Sequence, residues 1–199
     1  MSESLLSIKT RLSSVRSIGK MTKAMKLIAT ARYTKWKSLW DGNKPYEQAM
    51  RESLLLCLQR VDFSHAKEIP HCMMQNNSER KLYIFVTSTL GLCGAYNHNL
   101  FKFYDSVVSP EDDVIFIGEK GYRHYASRQH KAYTNFMHIT SSMTYDDANE
   151  FRHWLDTLYR EGQYKSVEVI YTKFKNSISM EVVNKQILPL TKDEIPPVN

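Results

Sequence analysis

Leu82-Tyr83-Ile84-Phe85-Val86-Thr87 is a continuous apolar, β-rich run, and Ser88 to Tyr96 behind it reads as a loop holding Gly91 and Gly94. Apolar residues without polar alternation are expected of a strand covered on both faces. Asn97 to Val107 then takes a helical pattern. Val114-Ile115-Phe116-Ile117 is a second buried strand, followed by a helix from Glu119 to Arg128 and a short strand over Ala132–Phe136. Asp146 or Asp147 is placed to cap an amphipathic helix that turns Ala148, Phe151, Trp154, Leu155 and Leu158 inward. Val167–Phe174 and Met180–Leu188 close the pattern as strands, with a hairpin turn at Asn176-Ser177. Strands alternating with helices predict an α/β domain of Rossmann-like type over residues 81–190.

On the N-terminal side of this domain the period is different. Residues 4–40 read as one helix capped by Ser4, with Leu5, Ile8, Leu12, Val15, Ile18, Met25 and Ile28 spaced mostly by three, four or seven to line one face. At 1.5 Å per residue it is roughly 55 Å long, more than a domain of this size covers, so part of the stripe needs another partner. Asp41-Gly42-Asn43-Lys44-Pro45 predicts a kink or break. Helix resumes from Tyr46 to about Val61, with Met50, Leu54, Cys57, Leu58 and Val61 on a face. The expected organisation is a helical arm over 1–61 kinked near 41–45, a linker over 62–80, the α/β domain over 81–190 and an unstructured tail over 191–199.

Composition narrows the partners. The 199 residues carry a net charge of +6, and the hydrophobic fraction of 42% is that of a globular chain. Between Glu3 and Trp40 there are nine basic residues, including Lys20, Lys23 and Lys26, and Glu3 is the lone acid, so the positive field sits on one element. Cys57, Cys72 and Cys93 form no CxxC pair, and their odd number fits a reducing compartment better than a disulfide framework. No apolar run reaches the roughly 18–20 residues of a bilayer span, and the N-terminus lacks the apolar stretch of a secretory signal.

Catalytic signals are weak. Gly91-Leu92-Cys93-Gly94 lies between a strand and a helix, where α/β enzymes keep phosphate loops and nucleophiles. Neither the Walker pattern nor GxGxxG is present, and no histidine is placed by sequence as a base for Cys93. The tight turn or contact-loop reading is preferred, with glycine allowing close approach to another surface. The seven histidines are scattered, and none pairs with cysteine or carboxylate at metal-ligand spacing. No metal or cofactor is expected. The basic helix suits either phosphate neutralisation or packing on a partner protein with acidic loops, and interleaving of its charges with an apolar stripe favours protein.

Ile8 to Arg32 closely resembles the N-terminal signature of the gamma subunits of F-type ATP synthases, most specifically Lys20-Met21-Thr22-Lys23-Ala24-Met25-Lys26. Pro45-Tyr46, Thr87 to Asn97, Tyr171 to Asn176 and Gln186-Ile187-Leu188-Pro189-Leu190 resemble later blocks of that family in the same order. The resemblance implies a non-catalytic rotor whose N-terminal helix forms an antiparallel coiled-coil axle with a C-terminal helix, Ile8, Leu12, Val15, Ile18 and Ile28 belonging to its stripe. It implies alpha and beta subunits, an epsilon-type subunit and the ring of c subunits as partners. It implies a cytoplasmic place, peripheral on the inner face of a bacterial membrane. Lys20, Lys23, Met25, Lys26, Leu92, Cys93 and Gly94 would contact beta. Two departures stand out. Thr89-Leu90 occupies the family's usual Asp-Arg position, and the second axle helix expected after Pro189 is missing before Asn199. They motivate an alternative, the shaft of a paralogous F-type-like motor serving another machine such as mycoplasma gliding. A basic-helix nucleic-acid binder and an α/β enzyme acting through Cys93 are the distant readings.

Overall fold

The computed structural model describes residues 4–60, 70–127, 131–139, 143–176 and 179–190. They divide into two compact units, one built on the N-terminal helix and one on residues 62–196.

The first unit is a single helix, α1, Leu5–Arg60. Ser4 opens it as expected, its hydroxyl accepting from the Ser7 N–H at 3.3 Å. Of the kink or break expected at 41–45, a break does not occur: the 56-residue helix runs through with Pro45 inside it. Proline there removes one backbone bond and in a helix interior costs about 3 kcal/mol. Neighbouring side chains hold the turn. Lys37 pairs with Asp41 at 2.5 Å, Lys44 with Asp41 at 3.4 Å, and Arg51 with Glu47 at 2.8 Å. Exposed pairs of this kind are individually weak and offset at most part of the proline penalty.

The stripe also differs from expectation. At 100° per residue, Ile8 and Ile28 point about 160° apart, so the stripe winds round the helix instead of lining one face. The steps of three from Leu12 to Val15 to Ile18 produce this, as a three-residue stammer overwinds a coiled coil. Its five named members are 48–64% exposed.

The second unit is a five-stranded sheet in the order β3-β2-β1-β4-β5. The strands are β1 Lys81–Val86, β2 Asp113–Ile117, β3 Ala132–Tyr133, β4 Ser166–Phe174 and β5 Met180–Leu188. The first four are parallel and β5 is antiparallel to β4. Three helices, α2 Tyr96–Val107, α3 Glu119–Tyr125 and α4 Tyr145–Arg160, connect them. Residues of β1 alternate between two cores. Tyr83 and Phe85 pack with Leu100, Tyr104 and Tyr125 from α2 and α3, while Leu82 and Ile84 pack with Leu155 and Tyr159 from α4. Both faces are thus covered, which is why the β1 run is apolar throughout.

Three boundaries shift for local reasons. Thr144, not Asp146 or Asp147, caps α4: its hydroxyl accepts from the Asp147 N–H, and the Asp147 carboxylate accepts from the Thr144 N–H in a capping box. The strand over 132–136 shortens because a turn closes between the Met137 N–H and the Thr134 carbonyl at 3.1 Å. α3 ends at Tyr125, and the end expected for it at Arg128 lies outside the described residues. Within the segment read as a linker, residues 70–80 are part of this unit. Asn76 donates to the carbonyls of Tyr159 and Tyr164 at 2.9 and 3.0 Å, and Leu190 donates to Cys72 at 2.6 Å. Residues 62–69 and 191–199, the remaining linker and the tail, lie outside the described residues.

Charged groups lock the N-terminal ends of the strands. Asp113 accepts from Arg80 and from the Tyr164 hydroxyl, each at 2.5 Å. Burial, then hydrogen bonding to Asp113 and Tyr133, pushes the Tyr164 hydroxyl far up. Glu168, buried in β4, meets Lys81 at 2.8 Å and Ser166 at 3.0 Å, and accepts from Asn184 of β5. Burial pushes Glu168 up, but Lys81, Asn184 and Ser166 together hold its carboxyl below the ordinary value. A depressed carboxylate adds stability that is complete above the unfolded value, near 4.5, and is lost as pH falls through the folded value. Glu168→Gln is therefore expected to unfold at lower urea than the parent at pH 7, with the gap narrowing at pH 3.5. A gap independent of pH would show that the charge of Glu168 contributes nothing.

Candidate partner-contact site

Helix geometry separates the four contact residues expected on α1. Lys20, Lys23 and Lys26 follow one another by three and share an arc of about 120°. Met25 points about 100° away from Lys26 and falls in with the apolar stripe, beside Ile18 and Ile28. All four are exposed, and the three lysines have no ion-pair partner among the described residues. The candidate surface on this unit is thus a basic ridge beside a winding apolar stripe, with Met25 on the apolar side. Trp36 and Trp40 extend the apolar surface, Lys44 lying over the Trp40 ring at 3.7 Å. Sequence reading left these tryptophans out, although their spacing of four is visible in it.

A separate candidate surface, on the α/β unit, stands at the C-terminal end of β1. In this strand order the chain leaves β1 toward β2 on one side while β4 joins on the other, so the loop lies at the switch point of the sheet. Its base is clamped. The Thr87 N–H donates to Ile117 at 2.8 Å, the Gly121 N–H donates to the Thr87 hydroxyl at 2.9 Å, and the Lys120 N–H donates to Ser88 at 3.0 Å. Asn97 works from the first turn of α2. Its carbonyl accepts from the Ser88 N–H at 3.2 Å, and its amide donates to the Ser88 hydroxyl at 2.7 Å and the Cys93 sulfur at 3.2 Å. The Ser88 hydroxyl donates to the Leu90 carbonyl at 2.7 Å. Sequence reading singled out Leu92, Cys93 and Gly94 but missed Thr87, Ser88 and Asn97, which brace them. The signal available was a short polar residue at each root of a glycine-containing loop.

Above this brace the loop is apolar. Leu90 is 68% and Leu92 93% exposed. Gly94 adopts φ 59°, a left-handed conformation that explains glycine there. At Thr89, where the resemblance expects aspartate, the hydroxyl is buried and has no hydrogen-bond partner among the described residues. With leucine instead of arginine at 90, a carboxylate at 89 would lack its neighbouring cation.

This arrangement offers little to a reaction. The partners of Cys93 are an amide and a hydroxyl, neither a base, so thiol activation has no agent among the described residues. No group of three or more His, Cys, Asp or Glu side chains is placed to hold a metal among them. No described helix is long and apolar enough to cross a membrane. What the geometry presents is two exposed surfaces: a basic helix with an open apolar stripe, and a hydrogen-bonded loop tipped by leucines.

Comparison with known proteins gives a consistent result. A family model described as ATP synthase matches residues 4–198. The ATP synthase gamma chain of Ureaplasma urealyticum is 33% identical over 199 residues, covering 96% of this chain and 68% of the relative. That of Mycoplasmopsis agalactiae is 32% identical, covering 96% and 67%. The chain thus spans about two thirds of the length of these relatives. Among solved structures, the central stalk and c-ring of the Tetrahymena thermophila mitochondrial ATP synthase superposes with a TM-score of 0.62 at 23% identity. The match covers 85% of this chain and 72% of that one, a likeness of fold.

Proposed function

The chain belongs to the ATP synthase gamma-chain family, and from that membership we propose that it is the central-stalk rotor subunit of a rotary ATPase. The observation that carries the reading is α1, a 56-residue helix whose basic ridge and winding apolar stripe are both left open. A shaft must be stiff, and helix supplies that. It must also contact the catalytic ring differently at each angle, because a contact equal in all ring conformations shifts no population. Lys20, Lys23 and Lys26 suit this task. Exposed ion pairs are worth ~0–1 kcal/mol each, so they form and break in every turn without trapping one angle.

In this reading the subunit is non-catalytic. Alpha and beta subunits surround α1 and supply acidic loops to the ridge, and Leu92, Cys93 and Gly94 make a separate contact with beta. The α/β unit meets an epsilon-type subunit and the c-ring, and through that ring the protein is held at a bacterial membrane. The gamma chains of ATP synthases among the relatives favour this over the paralogous motor. The winding of the stripe supports a helical partner that coils about α1. Co-expression with the alpha and beta subunits of the same cell tests the proposal. A stable complex of the three is expected; a chain that purifies alone beside an assembled ring contradicts it.

A further inference from the structure

At the N-terminal ends of β1 and β4, on the opposite end of the sheet from the Leu92 loop, lies a cavity of about 190 Å³. Gln75 and Asn76 of the entering segment form one side of it, and Gln186 and Pro189 at the end of β5 form another. It has room for about six waters at roughly 30 Å³ each. Drug-sized ligands need about 300 Å³ or more, so an occupant is a small ion or group.

The hydrogen-bonding capacity left in the wall decides which kind. Its carboxylate, Glu168, is buried and engaged inside the chain: one oxygen takes Lys81 at 2.8 Å and Ser166 at 3.0 Å, and the other takes Asn184. The donors are less engaged. The Lys81 ammonium has three N–H groups, and its side chain is 39% exposed although one of them goes to Glu168. Hydrogen bonding to Glu168 raises Lys81 above its ordinary value, so it stays charged at neutral pH. Lys165 meets Glu79 at 3.4 Å, a long contact between side chains 54% and 93% exposed, which is weak. The Gln186 amide gives one N–H to the Pro189 carbonyl at 3.0 Å and has a second. Two lysines against one glutamate leave the wall with a net positive charge.

We propose that this cavity binds a small oxyanion of the phosphate class, held between the Lys81 and Lys165 ammonium groups with the amides of Gln75 and Gln186 completing the donor set. The site is separate from both contact surfaces and does not depend on the rotor reading. An occupant would tie the segment entering the unit to the strand leaving it, and so stabilise the fold.

Inorganic phosphate, titrated into the full chain at an ionic strength held constant with chloride, is expected to raise the melting temperature saturably at roughly millimolar anion. Sulfate is expected to act alike, and singly charged acetate about tenfold more weakly. Lys165→Gln is expected to melt with the parent in chloride, yet to bind phosphate about tenfold more weakly by calorimetry. Glu79→Gln removes the competing carboxylate and is expected to bind phosphate as tightly as the parent or tighter. ATP that binds at least as well as phosphate, with the same loss in Lys165→Gln, would identify a nucleotide's terminal phosphoryl group as the occupant; binding of phosphate alone identifies the free ion. The absence of any saturable rise overturns the proposal. So does equal binding of phosphate by the parent and Lys165→Gln, since the anion would then sit elsewhere, as on the basic ridge of α1.

Discussion

Gly118→Ala is expected to destabilise the α/β unit by roughly 3–5 kcal/mol, a loss visible as a large drop in the urea midpoint of the full chain. Gly118 has φ 85° and ψ 145°, a region almost closed to residues with a Cβ. A Cβ there would stand 2.2 Å from the Thr87 carbonyl oxygen and 2.9 Å from its carbon. These are backbone atoms, and they have no room to retreat. The Thr87 N–H is bonded to Ile117, its hydroxyl accepts from Gly121, and Lys120 is tied to Ser88 next door. The damage would therefore spread into the brace beneath the Leu92 loop. Gly19→Ala is the matched control. Nothing lies within 4 Å of a Cβ at Gly19, and alanine inside a helix is favoured by about 1 kcal/mol. If Gly118→Ala proves as stable as the parent, the tight junction of β1 and β2 described above is wrong.

Simultaneous reversal of Lys20, Lys23 and Lys26 to glutamate is expected to weaken association with the alpha–beta ring by about 10- to 100-fold and to leave folding nearly unchanged. Each ion pair is worth little alone, but reversal replaces attraction with repulsion at three adjacent points, about 1.4–2.7 kcal/mol in all. The parent's affinity is expected to fall with added salt, and that of the triple variant to fall less or to rise. Equal affinity of parent and variant at low salt would remove the basic ridge from the interface. A further comparison isolates Met25. Met25→Ala removes apolar contact and no charge, so its effect is expected to be insensitive to salt.

Much of the fold is legible in the sequence, for identifiable reasons. The uninterrupted apolar run of β1 reports a strand covered on two faces, and β5 occupies the Met180–Leu188 span read as a strand. The long basic helix and its need for a partner are legible too. What misleads is local chemistry read without its surroundings. Pro45 reads as a kink or break, yet the helix continues through it from Leu5 to Arg60. Residues 70–80 read as linker because their bonds go to backbone carbonyls some 80 residues away, which no local pattern announces. Thr144 is hidden by the acidic pair that follows it, although Asp147 completes its capping box.

The candidate site divides in the same way. The lysine ridge and the glycine-containing loop were visible, because charge and loop composition are local properties. The separation of Met25 from the lysines needed only helical arithmetic. The left-handed backbone of Leu92, at φ 60°, was not visible, since backbone dihedrals at 92 depend on the braces from Ser88, Asn97 and Lys120.

Rotation itself is the decisive observation. With the alpha–beta ring fixed to a surface and a probe attached to the α/β unit of this chain, added ATP is expected to turn the probe continuously in one direction, and its removal to stop it. A ring that retains the chain and hydrolyses ATP while the probe stays still would contradict the account.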